Sequence, residues 1–290
     1  MIEYPEEHSI SAKSHKYSID RSFRPKKSLG QHFLVDRKIL SNILEAAEIS
    51  QRDFVIEIGP GKGFLTRALV KGAGNLVVVE LSEVLASSLH DEFKECPDVK
   101  VVKADAREID ICDLVGGRSG YKFVANLPYY AASPIVRRFL EADCKPECMV
   151  VMVQREVARE MVAMPGKMGI LSVATQVYGR PRIVCYVPPR AFRPAPKVIS
   201  AVVKIDVYPE PAIKFDSESN FFRLVRGAFR APRKQLRNSL SIGLGVSSAV
   251  ALSMLIKAGI DSTRRAQTLS LEEWSNLYQV FNNMPDFFDK

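Results

Sequence analysis

An open α/β fold is predicted, with a mostly parallel sheet of seven strands, helices on both faces, and a small all-helical unit at the C-terminal end. Three observations predict it: short β-branched runs alternate with helical patterns, the first buried run breaks into three closely spaced glycines, and the following strands each end in a ligand-capable polar side chain. The organising stretch is Phe54-Val-Ile-Glu-Ile-Gly-Pro-Gly-Lys-Gly-Phe64. Val55, Ile56 and Ile58 are nearly continuous and β-branched, which suits a strand covered on both faces. Gly59, Gly61 and Gly63 then remove side chains where the backbone must turn and admit a ligand, and the next helix offers unpaired N–H groups. A nucleotide or nucleoside fits such a turn; a ligand-free glycine turn is the plainer alternative.

Two cofactor classes compete for it. The dinucleotide fingerprint G-x-G-x-x-G fails by one residue, because the third glycine arrives at Gly63 and Phe64 stands where the motif wants glycine. Glu57 followed by Gly-x-Gly-x-Gly resembles instead the first motif of S-adenosyl-L-methionine methyltransferases.

The 290 residues, 47% hydrophobic and 26% charged, can bury a sizeable core, which excludes disorder throughout. A formal net charge of +8 favours an anionic partner such as nucleic acid or an anionic membrane surface. No apolar run has the form of a signal peptide or the length of a membrane span, so the expectation is a soluble, cytoplasmic protein. Cys96, Cys112, Cys144, Cys148 and Cys185 are odd in number and lack paired C-x-x-C spacing, so they read as reduced thiols, without a disulfide framework or a metal site.

Residues 1–25 show no apolar periodicity, running from acidic (Glu3, Glu6, Glu7) to basic (Lys13, Lys16, Arg21, Arg24), and read as a flexible tail. Lys26-Lys-Ser-Leu-Gly-Gln-His-Phe-Leu34 places aromatic and apolar residues just before a helix capped by Asp36, whose Ile39, Leu40, Ile43, Leu44 and Ala47 share a face. Here His32 has a local capping or packing role as its plainer reading. The strand Leu76–Glu80 ends in an acid about 20 residues past the glycine turn, where nucleotide folds hold a ribose. Val99–Lys103 runs into Asp105, and Lys122–Ala125 into Asn126-Leu-Pro-Tyr129. Glu80, Asp105 and Asn126 therefore emerge on one rim, the ligand edge of open α/β sheets.

Asn126-Leu127-Pro128-Tyr129 is the candidate catalytic motif. Methylating an exocyclic base amine requires freeing a lone pair conjugated with the ring; acceptors at the Asn126 side chain and the Leu127 carbonyl would draw the amine toward tetrahedral geometry. Pro128 has a locked φ that aims the turn, and Tyr129 offers a face for stacking an unstacked base. A packed tyrosine after a proline turn is the alternative. Further on, Cys148–Val153, Arg182–Val187 and Ser200–Val207 read as the last strands, the final two with antiparallel character. Between those two, a Pro-rich loop sets Phe192 among Arg190, Arg193 and Lys197, suited to a nucleobase with phosphates or else merely rigid and solvated. Tyr208-Pro-Glu-Pro211 marks a boundary, giving a catalytic domain over 26–208 and a helical domain over 209–290. In the latter, Arg223, Arg226, Arg230, Arg233 and Arg237 recur at helical spacing with Lys234 alongside, and Pro232 predicts two helices meeting at a bend.

Together, Ser28-Leu-Gly-Gln-His-Phe-Leu34, the glycine turn, Glu80, Asp105, Asn126-Leu-Pro-Tyr129, Phe192-Arg-Pro-Ala-Pro-Lys-Val198 and Ala228–Leu240 resemble the small-subunit ribosomal RNA adenine N6,N6-dimethyltransferase family, the KsgA type. The resemblance implies a Rossmann-like methyltransferase fold in which His32, Leu34, Gly59, Glu80, Asp105 and Asn126 contact S-adenosyl-L-methionine, with Glu80 on the ribose and Asp105 on the adenine amine. It places Asn126 to Tyr129, with Phe192 as second stacking face, around the target adenine. Its substrate is two neighbouring adenosines in the terminal hairpin loop of small-subunit rRNA within a pre-assembled particle, met by a monomer without a metal. His32 departs from the asparagine usual in bacterial members and looks more like the archaeal and eukaryotic branch. The macrolide-resistance methyltransferases of large-subunit rRNA usually carry Ile where Leu127 stands. A non-catalytic assembly factor on the same fold is the other class, and a nicotinamide dehydrogenase is disfavoured by Phe64 and the basic helical end.

Overall fold

The computed structural model describes residues 32–284; the expected tail over 1–25 and the Ser28–Gln31 part of the histidine motif lie outside the described residues. The chain enters through β1 (Phe33–Leu34) and α1 (Arg37–Ala47), which Asp36 caps as expected by accepting from the Lys38 and Ile39 N–H groups. Then follow β2 (Phe54–Ile58), α2 (Thr66–Gly72), β3 (Asn75–Glu80), α3 (Glu83–Phe93), β4 (Val99–Lys103), α4 (Ile111–Val115), β5 (Tyr121–Asn126), α5 (Ala132–Glu141) and β6 (Pro146–Gln154). After α6 (Arg155–Met161) and α7 (Ile170–Tyr178) come β7 (Gly179–Val187), β8 (Phe192–Arg193) and β9 (Ser200–Val207).

The seven-stranded sheet has the order β4-β3-β2-β5-β6-β9-β7, parallel except that β9 runs antiparallel to both its neighbours. Helical crossovers force the parallel pairing, and the antiparallel β9 is reached by the loop that carries β8. The chain winds outward from β2 to β4 and returns to β5 on the other side of β2, so the carboxyl ends of β2 and β5 flank the switch point at which open α/β sheets leave a crevice.

Side chains alternate across the sheet. Ile56, Ile58, Val77, Val79, Phe123 and Met149 face one core with α5 and α7, where the Phe123 and Phe139 rings lie 4.5 Å apart. Val55, Leu76, Val78, Val124, Val150 and Met152 face the other, against α1 and α2.

The C-terminal helices are α8 (Glu218–Ala228), α9 (Leu236–Leu244), α10 (Ser248–Lys257) and α11 (Leu271–Asn282). The bend expected at Pro232 separates α8 from α9. Trp274, Tyr278 and Phe281 are buried among them, and Phe215 stacks on Phe221 while meeting Tyr178 of α7 edge-on, so this apolar cluster is continuous with the core over α5 and α7. The α8–α9 crossing is tight: a Cβ at Gly243 would lie 2.1 Å from the Gly227 carbonyl oxygen. Both partners there are backbone and cannot yield. Gly243→Ala should therefore cost about 3 kcal/mol, read as a lower urea midpoint at unchanged slope.

One expectation is corrected. Cys112 and Cys144 do not stand as separate thiols but form a disulfide, with Cα atoms 5.3 Å apart. They stand 32 positions apart in sequence, yet α4 and the α5–β6 connection bring them side by side, a proximity invisible to a search for C-x-x-C spacing. Cys148, four residues on from Cys144, lies apart from them, buried in β6.

Candidate active site

Every predicted site residue lines one cleft at the switch point: His32, Leu34, Gly59, Glu80, Asp105, Asn126, Leu127, Pro128, Tyr129 and Phe192. The glycine turn forms its floor. Gly59 and Gly61 have φ of +69° and +57°, open to glycine at little cost, and a Cβ at Gly61 would strike the Phe33 ring at 2.8 Å. Gly59 also backs onto the Asn126–Tyr129 segment, since its Cβ position lies 3.6 Å from the Asn126 carbonyl oxygen.

Glu80 is fixed from two directions: Gly61 N–H donates to Oε2 at 3.2 Å and Ser82 N–H to Oε1 at 2.8 Å. Burial pushes its carboxyl above the usual range, and these backbone donors pull against that shift. An aimed acceptor with further lone pairs suits a vicinal diol. At the end of β4, Asp105 is gripped by Arg107, whose Nε and Nη2 lie 3.0 and 2.6 Å from its two oxygens, and this hydrogen-bonded partner holds the carboxyl below its ordinary range.

The Asn126–Tyr129 segment is braced from the N-terminal side. Asn126 Nδ2 donates to the His32 carbonyl at 3.3 Å, which leaves Oδ1 as the amide's acceptor. His32 Nδ1 donates to the Pro194 carbonyl oxygen at 2.9 Å, and its ring stacks near Tyr129 at 5.8 Å. Tyr129 is held at its far end by a 2.7 Å bond between its hydroxyl and Ser200 Oγ. His32 is therefore a packing residue and a cleft residue at once.

Phe192 differs from its expected setting. Instead of projecting among cations it is buried at 1% exposure, because β8 pairs antiparallel with β1 and matches Phe192 to Leu34. Arg190, Arg193 and Lys197 remain exposed around it.

Sequence reasoning did not assign Glu57, Arg107 and Tyr130 to the site, though all three line the cleft. Glu57 was visible only as a motif letter. It is fully buried with Oε2 lacking any partner, and burial, reinforced by the like charge of Glu80, pushes its carboxyl up to about 8. The folded protein thus keeps a proton that the unfolded chain releases between the ordinary carboxylate pKa and 8, so stability falls as pH rises through that window. Glu57→Gln should remove this slope, gaining melting temperature over wild type at pH 8 and much less at pH 5.

A profile of the family described as Ribosomal RNA adenine dimethylase matches residues 22–283. Among curated relatives, a Ribosomal RNA small subunit methyltransferase A from Dehalococcoides mccartyi is 44% identical over 96% of this chain and 95% of its own. One from Alkaliphilus metalliredigens is 42% identical over 88% and 91%. Both relatives are bacterial and lend no support to an archaeal affinity for His32. Among solved structures, the 23S rRNA methyltransferase ErmE superposes with a TM-score of 0.67 at 28% identity, over 87% of this chain and all of its own. A dimethyladenosine transferase from Plasmodium falciparum shares the fold, with a TM-score of 0.74 at 24% identity over 87% and 98%. With its profile running through the sheet, the cleft and the C-terminal helices alike, the chain belongs to the ribosomal RNA adenine dimethylase family.

Proposed function

We propose that the protein transfers methyl groups from S-adenosyl-L-methionine to N6 of two adjacent adenosines in the 3′-terminal hairpin loop of small-subunit rRNA. The observation that carries this reading is the convergence of Glu80, Asp105 and Asn126 with Tyr129 in one cleft at the switch point.

The cofactor's chemistry is to present a methyl group on a positively charged sulfur, and the residues present fit such a guest. Glu80 would take the ribose hydroxyls, Asp105 the adenine amine, and the side-chain-free turn at Gly59 and Gly61 the closest approach of backbone. His32 and Leu34 would close the cofactor side, Leu34 tied to the cleft by the β1–β8 pairing and His32 by its bond to the Pro194 carbonyl. The target adenine would lie between Tyr129 and the wall made by Phe192. Its amine would donate to Asn126 Oδ1, oriented by the Nδ2 bond to His32, and to the Leu127 carbonyl. Those bonds localise the nitrogen lone pair and aim it, while the enclosed cleft sheds competing water. Pro128 keeps the turn rigid between the two acceptors.

A small-subunit target is favoured over a large-subunit one by the named relatives at 44% identity, against 28% for ErmE, and by Leu127 in place of isoleucine. We assign residues 26–208 to catalysis and 209–290 to RNA contact, acting as a monomer in the cytoplasm on a pre-assembled subunit. Among the described residues no single helix is long and apolar enough to cross a membrane.

Nucleoside analysis of rRNA from under-methylated small subunits incubated with the protein and S-adenosyl-L-methionine tests the assignment. Two N6,N6-dimethyladenosines in the terminal hairpin are expected. Binding to the particle without transfer would instead identify a non-catalytic assembly factor.

A further inference from the structure

We infer that Arg107 is a specificity-determining positioning residue: gripping Asp105 and resting on Tyr130, it leaves that carboxylate one acceptor position and makes the cleft select an exocyclic amine over a keto oxygen on the cofactor's purine. The inference rests on the assignment of Asp105 to the cofactor's adenine.

An ionised carboxylate has about four acceptor positions. Asp105 Oδ1 receives the Arg107 backbone N–H at 2.9 Å and Nε at 3.0 Å; Oδ2 receives Nη2 at 2.6 Å, with Nε shared at 3.2 Å. Nε has a single proton, so its contact to Oδ2 is the weaker arm of one shared bond, and the second lone pair of Oδ2 is the position open to another donor. A long side chain that is 45% exposed would ordinarily sample several rotamers. Here the guanidinium also meets an aromatic face, its carbon 5.8 Å from the centre of the Tyr130 ring. Tyr130 follows Tyr129 directly, so the fork is braced between the loop after β4 and the loop after β5.

An ion pair this exposed adds little to folding stability, so the consequence of the arrangement is orientation. The ionised carboxyl can only accept, and the fork fixes which lone pair is left to do so. An amine N–H satisfies the remaining lone pair; a keto oxygen meets it with repulsion and leaves it unpaired, a mismatch that sites built for one hydrogen bond reject strongly.

The test is calorimetric titration of the full chain with S-adenosylhomocysteine and with S-inosylhomocysteine, which differ at C6, amine against keto, and at N1, which carries a proton only in the inosyl compound. Wild type should prefer the adenosyl compound by about a hundredfold or more. Arg107→Ala should cut the preference to about tenfold or less, chiefly by weakening the adenosyl compound. Arg107→Lys keeps the charge without the fork and should not restore it. Tyr130→Leu, which removes only the brace, should shift the preference the same way by a smaller factor. An undiminished preference in Arg107→Ala, or full restoration by lysine, overturns the inference. Asp105→Ala separates the two levels: unchanged affinity for S-adenosylhomocysteine there would refute the assignment of Asp105 itself, whatever Arg107 does.

Discussion

Asn126→Ala is expected to slow methyl transfer to under-methylated small subunits by about a thousandfold while changing the affinity for S-adenosylhomocysteine less than tenfold. The asymmetry follows from where the side chain works. Asn126 sits at the carboxyl end of β5, held by the register that pairs it with Met152 of β6, and its Nδ2 is committed to the His32 carbonyl. Its Oδ1 would act on the target amine at the moment the lone pair leaves conjugation, so losing it raises the barrier more than it loosens cofactor binding. Asn126→Asp keeps an acceptor but forfeits the bond to His32, and should recover only part of the loss. Tyr129→Ala should abolish transfer as well, through the missing stacking surface, with the cofactor again less affected. Single-turnover transfer of radiolabel beside calorimetry separates the steps, and unchanged turnover in the Asn126→Ala and Tyr129→Ala variants would remove both residues from the chemistry.

The parts of the site legible in the sequence are those carried by strand ends. Leu76–Glu80 and Phe123–Asn126 are covered on both faces, and that burial shows as unbroken apolar runs whose closing polar residue, Glu80 or Asn126, marks the rim. Glycines at positive φ are likewise visible because few other residues take that conformation. What escaped was made by pairs distant in sequence and too short for periodicity. β1 and β8 have two residues each, about 160 apart, and their pairing turned Phe192 from a loop aromatic into a buried wall. The Cys112–Cys144 bond, the His32–Tyr129 stack and the brace of Arg107 on Tyr130 are of the same kind. Each joins segments that only the folded sheet brings together, with no local pattern to announce it.

Replacing Arg230, Arg233 and Lys234 together by alanine should weaken binding to the small subunit about a hundredfold at physiological salt and reduce the salt dependence of log K by two to three units of slope. These three cations are exposed on the turn between α8 and α9, beside Arg223 and Arg226 on the outer face of α8. Arg237, the next in the sequence repeat, is only half-exposed, with a buried Nε. The turn itself does not depend on their side chains. Ser239 Oγ donates to the Ala228 carbonyl and accepts from Ala231 N–H, Lys234 N–H donates to the Ala231 carbonyl, and Leu236 N–H reaches the Arg264 carbonyl. The triple variant should therefore melt with the wild type while losing contacts to phosphate, and its cleft should bind S-adenosylhomocysteine undisturbed. Cations spent on phosphates release counterions, whereas a merely solvated basic face does not, so the slope is the decisive quantity. Equal affinity and equal slope in the variant would return these residues to the solvent and move the RNA contact to Arg190, Arg193 and Lys197, which stand exposed beside the cleft.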